Sequence, residues 1–291
     1  MTDPSPSGDN AAIEALAPLR DVIAGHHLRA RGALGQHFLL DLNLTDRIAR
    51  AAGPLEGCLV YEVGPGPGAL TRSLLRAGAD HLVAVERDPR CVEALQALVT
   101  AAAGRLTLIE GDALEIDPAA LTRDHRGLPV RIVANLPYNI GTVLLINWLA
   151  KASAIRSMTL MFQKEVAERL IAKPGSKAYG RLSVLTQWLC EAERLFNLPA
   201  EAFVPPPKVA SSVVRLTVRA EPLAPAEMAT LERVTAAAFG QRRKMVRSSL
   251  KTLGGNTAAL LDTAGIDPTA RAEDLPVEAF CAIARAVVAP D

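Results

Sequence analysis

The chain has 291 residues, of which 49% are hydrophobic and 22% are charged, a composition typical of a soluble globular protein. Its formal net charge of +1 excludes a strongly basic molecule, so any surface that binds nucleic acid must be a local one. Four widely separated cysteines argue against a zinc site or a disulfide framework, and the absence of an apolar run of about 20 residues argues against a spanning helix. We therefore expect a cytoplasmic protein that does not enter a membrane.

The first part of the chain predicts alternating strands and helices. Residues 1–25 are expected to form a flexible lead. Four apolar segments follow, each ending in a carboxylate, a glycine or an amide, at 58–64, 81–87, 105–112 and 130–137. Helical patterns separate these segments, which predicts βαβ units and a parallel sheet.

The second part of the chain continues the sheet and then becomes helical. "SMTLMFQKEVAERLIA" predicts a strand and a helix, "GRLSVLTQWLCEAERLFNL" predicts a helix and a strand, and the alternation at 211–218 predicts an edge strand. A break rich in proline and alanine follows near residue 222. We therefore predict an α/β domain over 26–222 and a small all-α domain over 223–291.

A glycine loop, "YEVGPGPGALT" (61–71), follows the first strand and opens a helix. Gly64, Gly66 and Gly68 let the backbone turn sharply and approach a ligand closely, and the helix N-terminus suits an anionic group. The spacing is G-x-G-x-G, whereas dinucleotide-binding loops have G-x-G-x-x-G. The loop therefore fits a ligand with a carboxylate better than a pyrophosphate. A tight turn without a ligand is the alternative.

Carboxylates end the next two strands. Glu86 lies 22 residues after Gly64 and could accept two hydrogen bonds from a ribose diol, or be a solvated charge. Asp112 could bind an adenine edge, or cap the helix that follows it. Because ligands of open parallel sheets bind beyond the carboxyl ends of the strands, these positions together indicate one ligand site.

The fourth strand ends in Asn135-Leu136-Pro137-Tyr138, and with this motif the chain resembles a class I S-adenosylmethionine-dependent methyltransferase with a Rossmann-like sheet. More narrowly, it resembles the ribosomal RNA adenine N6,N6-dimethyltransferases, in particular the small-subunit (16S) enzymes linked to kasugamycin sensitivity. The matching motifs are "GQHFLLD" (35–41), "EVGPGPGALT" (62–71), "GDAL" (111–114), "NLPYNI" (135–140), "SKAYGRLSVLTQ" (176–187) and "FVPPPKVASSVVRL" (203–216).

The resemblance implies that S-adenosylmethionine is the cofactor and assigns residues to its site. The residues implied to line it are His37, Leu39, Gly64, Gly66, Glu86, Asp112 and Asn135. His37 departs from the family pattern, in which many members have Asn, but it can still donate and accept a hydrogen bond.

In such an enzyme the motif from Asn135 to Tyr138 has a chemical role. An adenine N6 amine is a poor nucleophile, because its lone pair is delocalised into the ring. The Asn135 side-chain oxygen and the Leu136 carbonyl could accept its N–H bonds and direct the lone pair at the methyl group. Pro137 fixes the turn, and Tyr138 offers a face for the extruded base. Phe203 is a candidate second stacking ring or a packed core side chain.

A basic segment lies in the predicted helical domain. "FGQRRKMVRSSLK" (239–251) contains Arg242, Arg243, Lys244, Arg247 and Lys251 and no acidic residue. On a helix, Arg243 and Arg247 would share one face and repel each other unless an anion lay nearby. RNA phosphate is the natural anion, and a solvated helix face is the alternative. Lys208 is a further candidate phosphate contact.

The function that the resemblance implies is dimethylation of two adjacent adenosines in a 3′-terminal stem-loop of 16S rRNA during ribosome biogenesis, by a monomer acting on the small subunit or its precursor. Two alternatives remain. One is a large-subunit rRNA adenine methyltransferase of the macrolide-resistance type, and the other is a non-catalytic RNA-binding assembly factor.

Overall fold

A computed structural model describes residues 10–30, 35–125 and 127–288. The strands are β1 (Phe38–Leu39), β2 (Leu59–Val63), β3 (His81–Glu86), β4 (Leu106–Glu110), β5 (Val130–Asn135), β6 (Ile155–Gln163), β7 (Cys190–Leu198), β8 (Phe203–Val204) and β9 (Ser211–Val218). The helices are α1 (Ala11–Glu14), α2 (Leu19–Gly25), α3 (Leu42–Ala51), α4 (Ala69–Arg76), α5 (Pro89–Ala101), α6 (Pro118–Asp124), α7 (Gly141–Leu149), α8 (Lys164–Leu170), α9 (Arg181–Leu189), α10 (Met228–Gly240), α11 (Val246–Ser249), α12 (Thr257–Ala264) and α13 (Val277–Val288). None of the described helices has the length and apolar character needed to cross a membrane.

The chain divides into two compact units. The first contains the described residues up to Lys164 together with Leu195–Arg215, and the second contains Glu165–Arg194 together with the described residues from Leu216 onward. This division differs from a single boundary near residue 222, because α8 and α9 group with the C-terminal helices. Of the predicted flexible lead, residues 1–9 lie outside the described residues, and the rest includes α1 and α2.

The chain forms a seven-stranded sheet with the strand order β4-β3-β2-β5-β6-β9-β7, of which β2 to β6 lie in the first unit. The pairs β2/β3, β2/β5, β3/β4 and β5/β6 are parallel, which confirms the predicted Rossmann-like α/β sheet. All five residues of β2 are buried, as expected for a central parallel strand covered on both faces. The prediction that 211–218 forms an edge strand is wrong, because β9 lies between β6 and β7. Alternation of side chains along β9 did not reveal its neighbours.

Local sequence explains where the helices beside the sheet begin. Asp88 caps α5 by accepting a hydrogen bond from the Arg90 N–H, and Pro89 takes the first turn, where no N–H is needed. Gly68 precedes α4 with φ of 91°, a left-handed conformation that favours glycine. Residues 69–75 of α4 are all buried. The hydrophobic core therefore fixes α4 directly behind the glycine loop.

The second unit has its own aromatic core. The rings of Phe239 and Phe280 stack with centroids 5.4 Å apart, and Tyr179 contacts Phe239 edge to face. The Tyr179 hydroxyl donates to the Leu275 carbonyl at 3.0 Å, and the side chain is fully buried. Tyr179 is therefore a structural residue of this unit, which satisfies its hydroxyl within the core.

Candidate active site

One cleft lies at the carboxyl ends of the central strands in the first unit. Its lining comes mainly from the segments 35–39, 62–67, 85–87, 111–113 and 135–140. These segments contain all the residues that the sequence assigned to cofactor binding and all those assigned to chemistry except Phe203. The topology explains this convergence, since parallel strands deliver their C-terminal residues to the same edge of the sheet.

The glycine loop is packed against two other walls of the cleft. Gly64 and Gly66 have φ of 67° and 55°. A Cβ on Gly66 would lie 3.1 Å from the Phe38 ring, and one on Gly64 would lie 3.7 Å from Pro137. The loop therefore needs glycine at position 66 for close packing as well as for its backbone conformation.

Glu86 is the most tightly held carboxylate of the cleft. Its Oε1 accepts hydrogen bonds from the backbone N–H groups of Arg87 and Asp88, both at 2.8 Å, and its Oε2 accepts one from Gly66 at 3.0 Å. Burial raises the pKa of Glu86, and these N–H groups oppose that shift. Because a carboxylate has about four acceptor positions, Oε2 retains capacity for one hydroxyl. A second ribose hydroxyl would have to share an acceptor position on Oε2 with the Gly66 N–H.

Asp112 caps a short helix, and it also retains an oxygen that could bind a ligand. Both roles were alternatives in the sequence. Its Oδ1 accepts from the Leu114 N–H at 3.0 Å and so caps the short 3-10 helix Ala113–Glu115. Its Oδ2 lies 3.0 Å from Nη1 of Arg87 and lines the cleft. The cap fixes the carboxylate, and Oδ2 keeps a second acceptor position for a ligand amine.

Asn135 is oriented by a single contact. Its Nδ2 donates to the backbone carbonyl of His37 at 3.0 Å. Because Nδ2 is committed to that carbonyl, Oδ1 is the amide atom left to accept a hydrogen bond from a substrate. The Pro137 carbonyl accepts from the N–H groups of Ile140 and Gly141 in the turn before α7. Asn135 and Leu136 are therefore the better acceptors for an amine.

The segment 35–39 ties together the walls of the cleft, a role that the sequence did not reveal. Gln36 donates to Asp88 at 3.2 Å, and His37 contacts the Pro205 carbonyl at 2.7 Å. Phe38 and Leu39 form β1, which pairs antiparallel with β8. Arg90 also binds Asp88 and holds the pKa of that carboxyl below its usual value. Gln36 was a missed site residue, and its only sequence signal was its place in "GQHFLLD".

The two candidate stacking rings have different surroundings. Tyr138 is half-buried, lines the cleft, and its hydroxyl lies 2.5 Å from Oγ of Ser211. Burial raises the pKa of the Tyr138 phenol, which keeps it a neutral ring at physiological pH. Phe203 is 1% exposed and packs in the main hydrophobic core with Leu39. Its place supports the core interpretation, and a stacking role for Phe203 stays a prediction.

Glu62 is a second residue that the sequence did not assign to the site. It lines the cleft at the end of β2, is 1% exposed, and its Oε2 has no hydrogen-bond partner among the described residues. Burial raises the pKa of Glu62 to about 8; the Thr71 hydroxyl opposes this shift, and the nearby Glu86 carboxylate adds to it. The sequence feature that could have identified Glu62 is its position next to the glycine loop.

The basic segment of the second unit is not one helix face. Residues 241–244 form a turn and α11 begins only at Val246, so the predicted i, i+4 arrangement of Arg243 and Arg247 is wrong. An antiparallel bridge between Met245 and Arg271 interrupts the helical path. Arg243, Lys244, Arg247 and, in the first unit, Lys208 are exposed.

Arg242 has a structural role instead. Its Nε lies 2.9 Å from Oε2 of Glu273, and its Nη2 donates to the Lys177 carbonyl at 2.8 Å. These contacts hold two loops of the second unit together. An RNA contact by Arg242 stays a prediction and would have to compete with this ion pair.

Comparison with known proteins identifies related sequences over almost the whole chain. Residues 27–288 match the family described as ribosomal RNA adenine dimethylase. A protein of Rhodospirillum rubrum named Ribosomal RNA small subunit methyltransferase A is 59% identical over 287 residues, which cover 99% of this chain and 98% of that protein.

Two solved structures resemble the chain. The 23S rRNA methyltransferase ErmE is 28% identical with a TM-score of 0.65, and the match covers 86% of this chain and 99% of that one. A dimethyladenosine transferase from Plasmodium falciparum is 24% identical with a TM-score of 0.73, covering 85% of this chain and 96% of that one. At this lower identity the second likeness concerns the fold.

Proposed function

Because the chain belongs to the ribosomal RNA adenine dimethylase family, we propose that it dimethylates N6 of two adjacent adenosines in a 3′-terminal stem-loop of small-subunit (16S) rRNA, with S-adenosylmethionine as methyl donor. The proposal rests on the near full-length similarity to a small-subunit methyltransferase and on one geometric observation. That observation is the Asn135 amide, whose Oδ1 is left as a substrate acceptor by the contact of Nδ2 with His37.

The residues of the cleft fit S-adenosylmethionine. Oε2 of Glu86 retains an acceptor position for a ribose hydroxyl, and Oδ2 of Asp112 retains one for the adenine amine. Oε2 of Glu62 is a buried polar atom without a hydrogen-bond partner among the described residues, and a polar group of the ligand would satisfy it. When bound, S-adenosylmethionine supplies a methyl group already activated by its sulfonium.

The chain's own residues then act mainly by position. Oδ1 of Asn135 and the carbonyl of Leu136 accept the N–H bonds of the target amine. Two such acceptors favour a pyramidal nitrogen whose lone pair can form the new bond to the methyl carbon, and N6 loses a proton to solvent once that bond has formed. No side chain needs to deprotonate the amine first, and the neutral phenol of Tyr138 is not a base. Holding the two reactants in line contributes most of the rate acceleration.

Tyr138 provides the platform for the extruded base. Its hydroxyl is fixed by Ser211, so the ring has one orientation at the rim of the cleft. Stacking on an aromatic face stabilises a flipped base and excludes water from the reacting atoms. The target base therefore enters beside the turn that contains Pro137.

The exposed cations are the proposed RNA contacts. Arg243, Lys244 and Arg247 of the second unit and Lys208 of the first carry positive charge at the surface. Such groups bind phosphates without reading sequence, which suits a protein whose net charge is only +1. We assign the helical C-terminal part to RNA binding on this basis, and we place the activity of a monomer in the cytoplasm, on the small subunit or its precursor.

The likeness to ErmE favours one alternative, methylation of large-subunit rRNA. Labelled S-adenosylmethionine should be offered separately to small and large subunits that lack the modification, and methylated nucleotides should be mapped. We expect label on N6 of two adjacent adenosines of the small subunit alone. Label in the large subunit would support the alternative. Cofactor binding in calorimetry without transfer to either subunit would indicate an assembly factor.

A further inference from the structure

The His37 side chain contacts two residues, Pro205 and Tyr138. Its Nδ1 lies 2.7 Å from the Pro205 carbonyl. A carbonyl can only accept, so Nδ1 of His37 carries a proton and donates it to this hydrogen bond. The contact joins the segment 35–39 to the loop that follows β8.

The same ring covers one face of Tyr138. The His37 and Tyr138 rings stack with centroids 5.3 Å apart and an interplanar angle of 29°. The Tyr138 hydroxyl is held by Ser211 at 2.5 Å. Tyr138 is thus contacted at its hydroxyl by Ser211 and on its ring by His37.

The His37 backbone has a separate task. Its carbonyl accepts the hydrogen bond from Nδ2 of Asn135 that orients the catalytic amide. A side-chain substitution at position 37 leaves this carbonyl in place. The two roles of the residue can therefore be separated by mutation.

We propose that the His37 side chain is a positioning residue of the base site, which backs Tyr138 so that the target adenine completes a stack of three rings. This inference rests on the proposed function. It adds the His37 ring behind Tyr138 and does not depend on a stacking role for Phe203, which is 1% exposed. The hydrogen bond to Pro205 sets the angle of the His37 ring, and the His37 ring sets that of Tyr138.

Two substitutions test the Nδ1 donor and the ring of His37 separately. His37→Asn keeps a donor at the position of Nδ1 and removes the ring. His37→Phe keeps the ring and removes the donor, and the exposed Pro205 carbonyl can then bind water. Thermal melts of both variants establish that they fold, and titration calorimetry with S-adenosylmethionine measures cofactor binding.

The expected results separate positioning from cofactor binding. Both variants should bind the cofactor within about twofold of the wild-type affinity, while His37→Asn should lower the single-turnover methylation rate of unmodified small subunits about tenfold, the order of one lost stacking contact. His37→Phe should recover most of that loss. In a Tyr138→Ala background, His37→Asn should have little further effect, because its influence passes through the Tyr138 ring.

Three outcomes would overturn the inference. A tenfold loss of cofactor affinity in both variants would make His37 a cofactor ligand. Additive effects of His37→Asn and Tyr138→Ala would show that the rings do not act together. A wild-type protein that leaves small subunits unmethylated would overturn the proposed function and this inference with it, whereas either of the first two results with an active wild type would overturn this inference alone.

Discussion

Replacing Glu62 by Gln should remove a pH dependence of stability that the buried carboxyl imposes. The pKa of Glu62 is raised from an ordinary value of 4.5 to about 8, with burial as the main cause. Between these two pH values the folded protein binds a proton that the unfolded chain has released. The free energy of unfolding must therefore fall as the pH rises through this interval.

The size of the effect follows from the interval. One pH unit corresponds to about 1.36 kcal/mol, so between pH 4.5 and pH 7 the carboxyl should cost on the order of 3 kcal/mol of stability. Below pH 4.5 this cost is absent, because both states are protonated. Gln has the shape of the protonated side chain and does not titrate. Its amide can change the free energy of unfolding by a constant amount at the unpaired Oε2 position, but it cannot make that free energy depend on pH.

The measurement is chemical denaturation at intervals from pH 5 to pH 8, without cofactor, for wild type and Glu62→Gln. Subtracting the two curves cancels every titrating group that the proteins share. The difference should grow with pH in favour of the variant. Glu93→Gln, at an exposed position of α5, is the matched control for loss of one carboxylate. Parallel curves for wild type and Glu62→Gln would refute the assignment of a raised pKa to this burial.

Three further predictions concern the cofactor, the chemistry and the RNA. Glu86→Gln should weaken S-adenosylmethionine binding in calorimetry by roughly 1–3 kcal/mol, because its amide turns a donor toward the Gly66 N–H or toward the ribose; unchanged affinity would contradict the ribose contact. Asn135→Ala should slow single-turnover methylation on the order of a hundredfold at saturating cofactor and RNA, and a near-normal rate would exclude the amide as an acceptor. Replacing Arg243 and Arg247 together with Ala should lower the log–log salt slope of RNA binding by about one to two while cofactor affinity holds. A slope equal to that of wild type would indicate that both arginines are solvated and do not contact RNA.

Local sequence was sufficient to predict the strands β2 to β5 and the edge of the sheet at which the candidate site lies. The predicted apolar segments 58–64, 81–87, 105–112 and 130–137 contain β2 to β5, because continuous apolar runs between helical patterns favour buried parallel strands. Four cleft residues followed from this order, since Glu86 and Asn135 end their strands and Gly64 and Asp112 lie within two residues after theirs. Long-range packing is not needed to bring them together once the sheet is parallel.

Features that depend on distant partners could not be predicted in the same way. The partners of β9, the burial of Phe203 and the grouping of 165–194 with the C-terminal helices are set by tertiary contacts between residues far apart in sequence. The prediction of a helix through residues 241–244 failed for a related reason. Their arginine-rich sequence is compatible with a helix, and the bridge from Met245 to Arg271 supplies the competing contact.

The five residues from Gly35 to Leu39 set a limit on retargeting the enzyme by engineering. One side of this short segment contacts the glycine loop through Phe38, and the other reaches Pro205 and Tyr138 through His37. A designer who reshapes the entrance to admit a different nucleobase would shift the wall of the nucleoside cleft as well. Libraries aimed at new RNA targets should hold this segment fixed and vary exposed positions outside it, such as Lys208 and Val209.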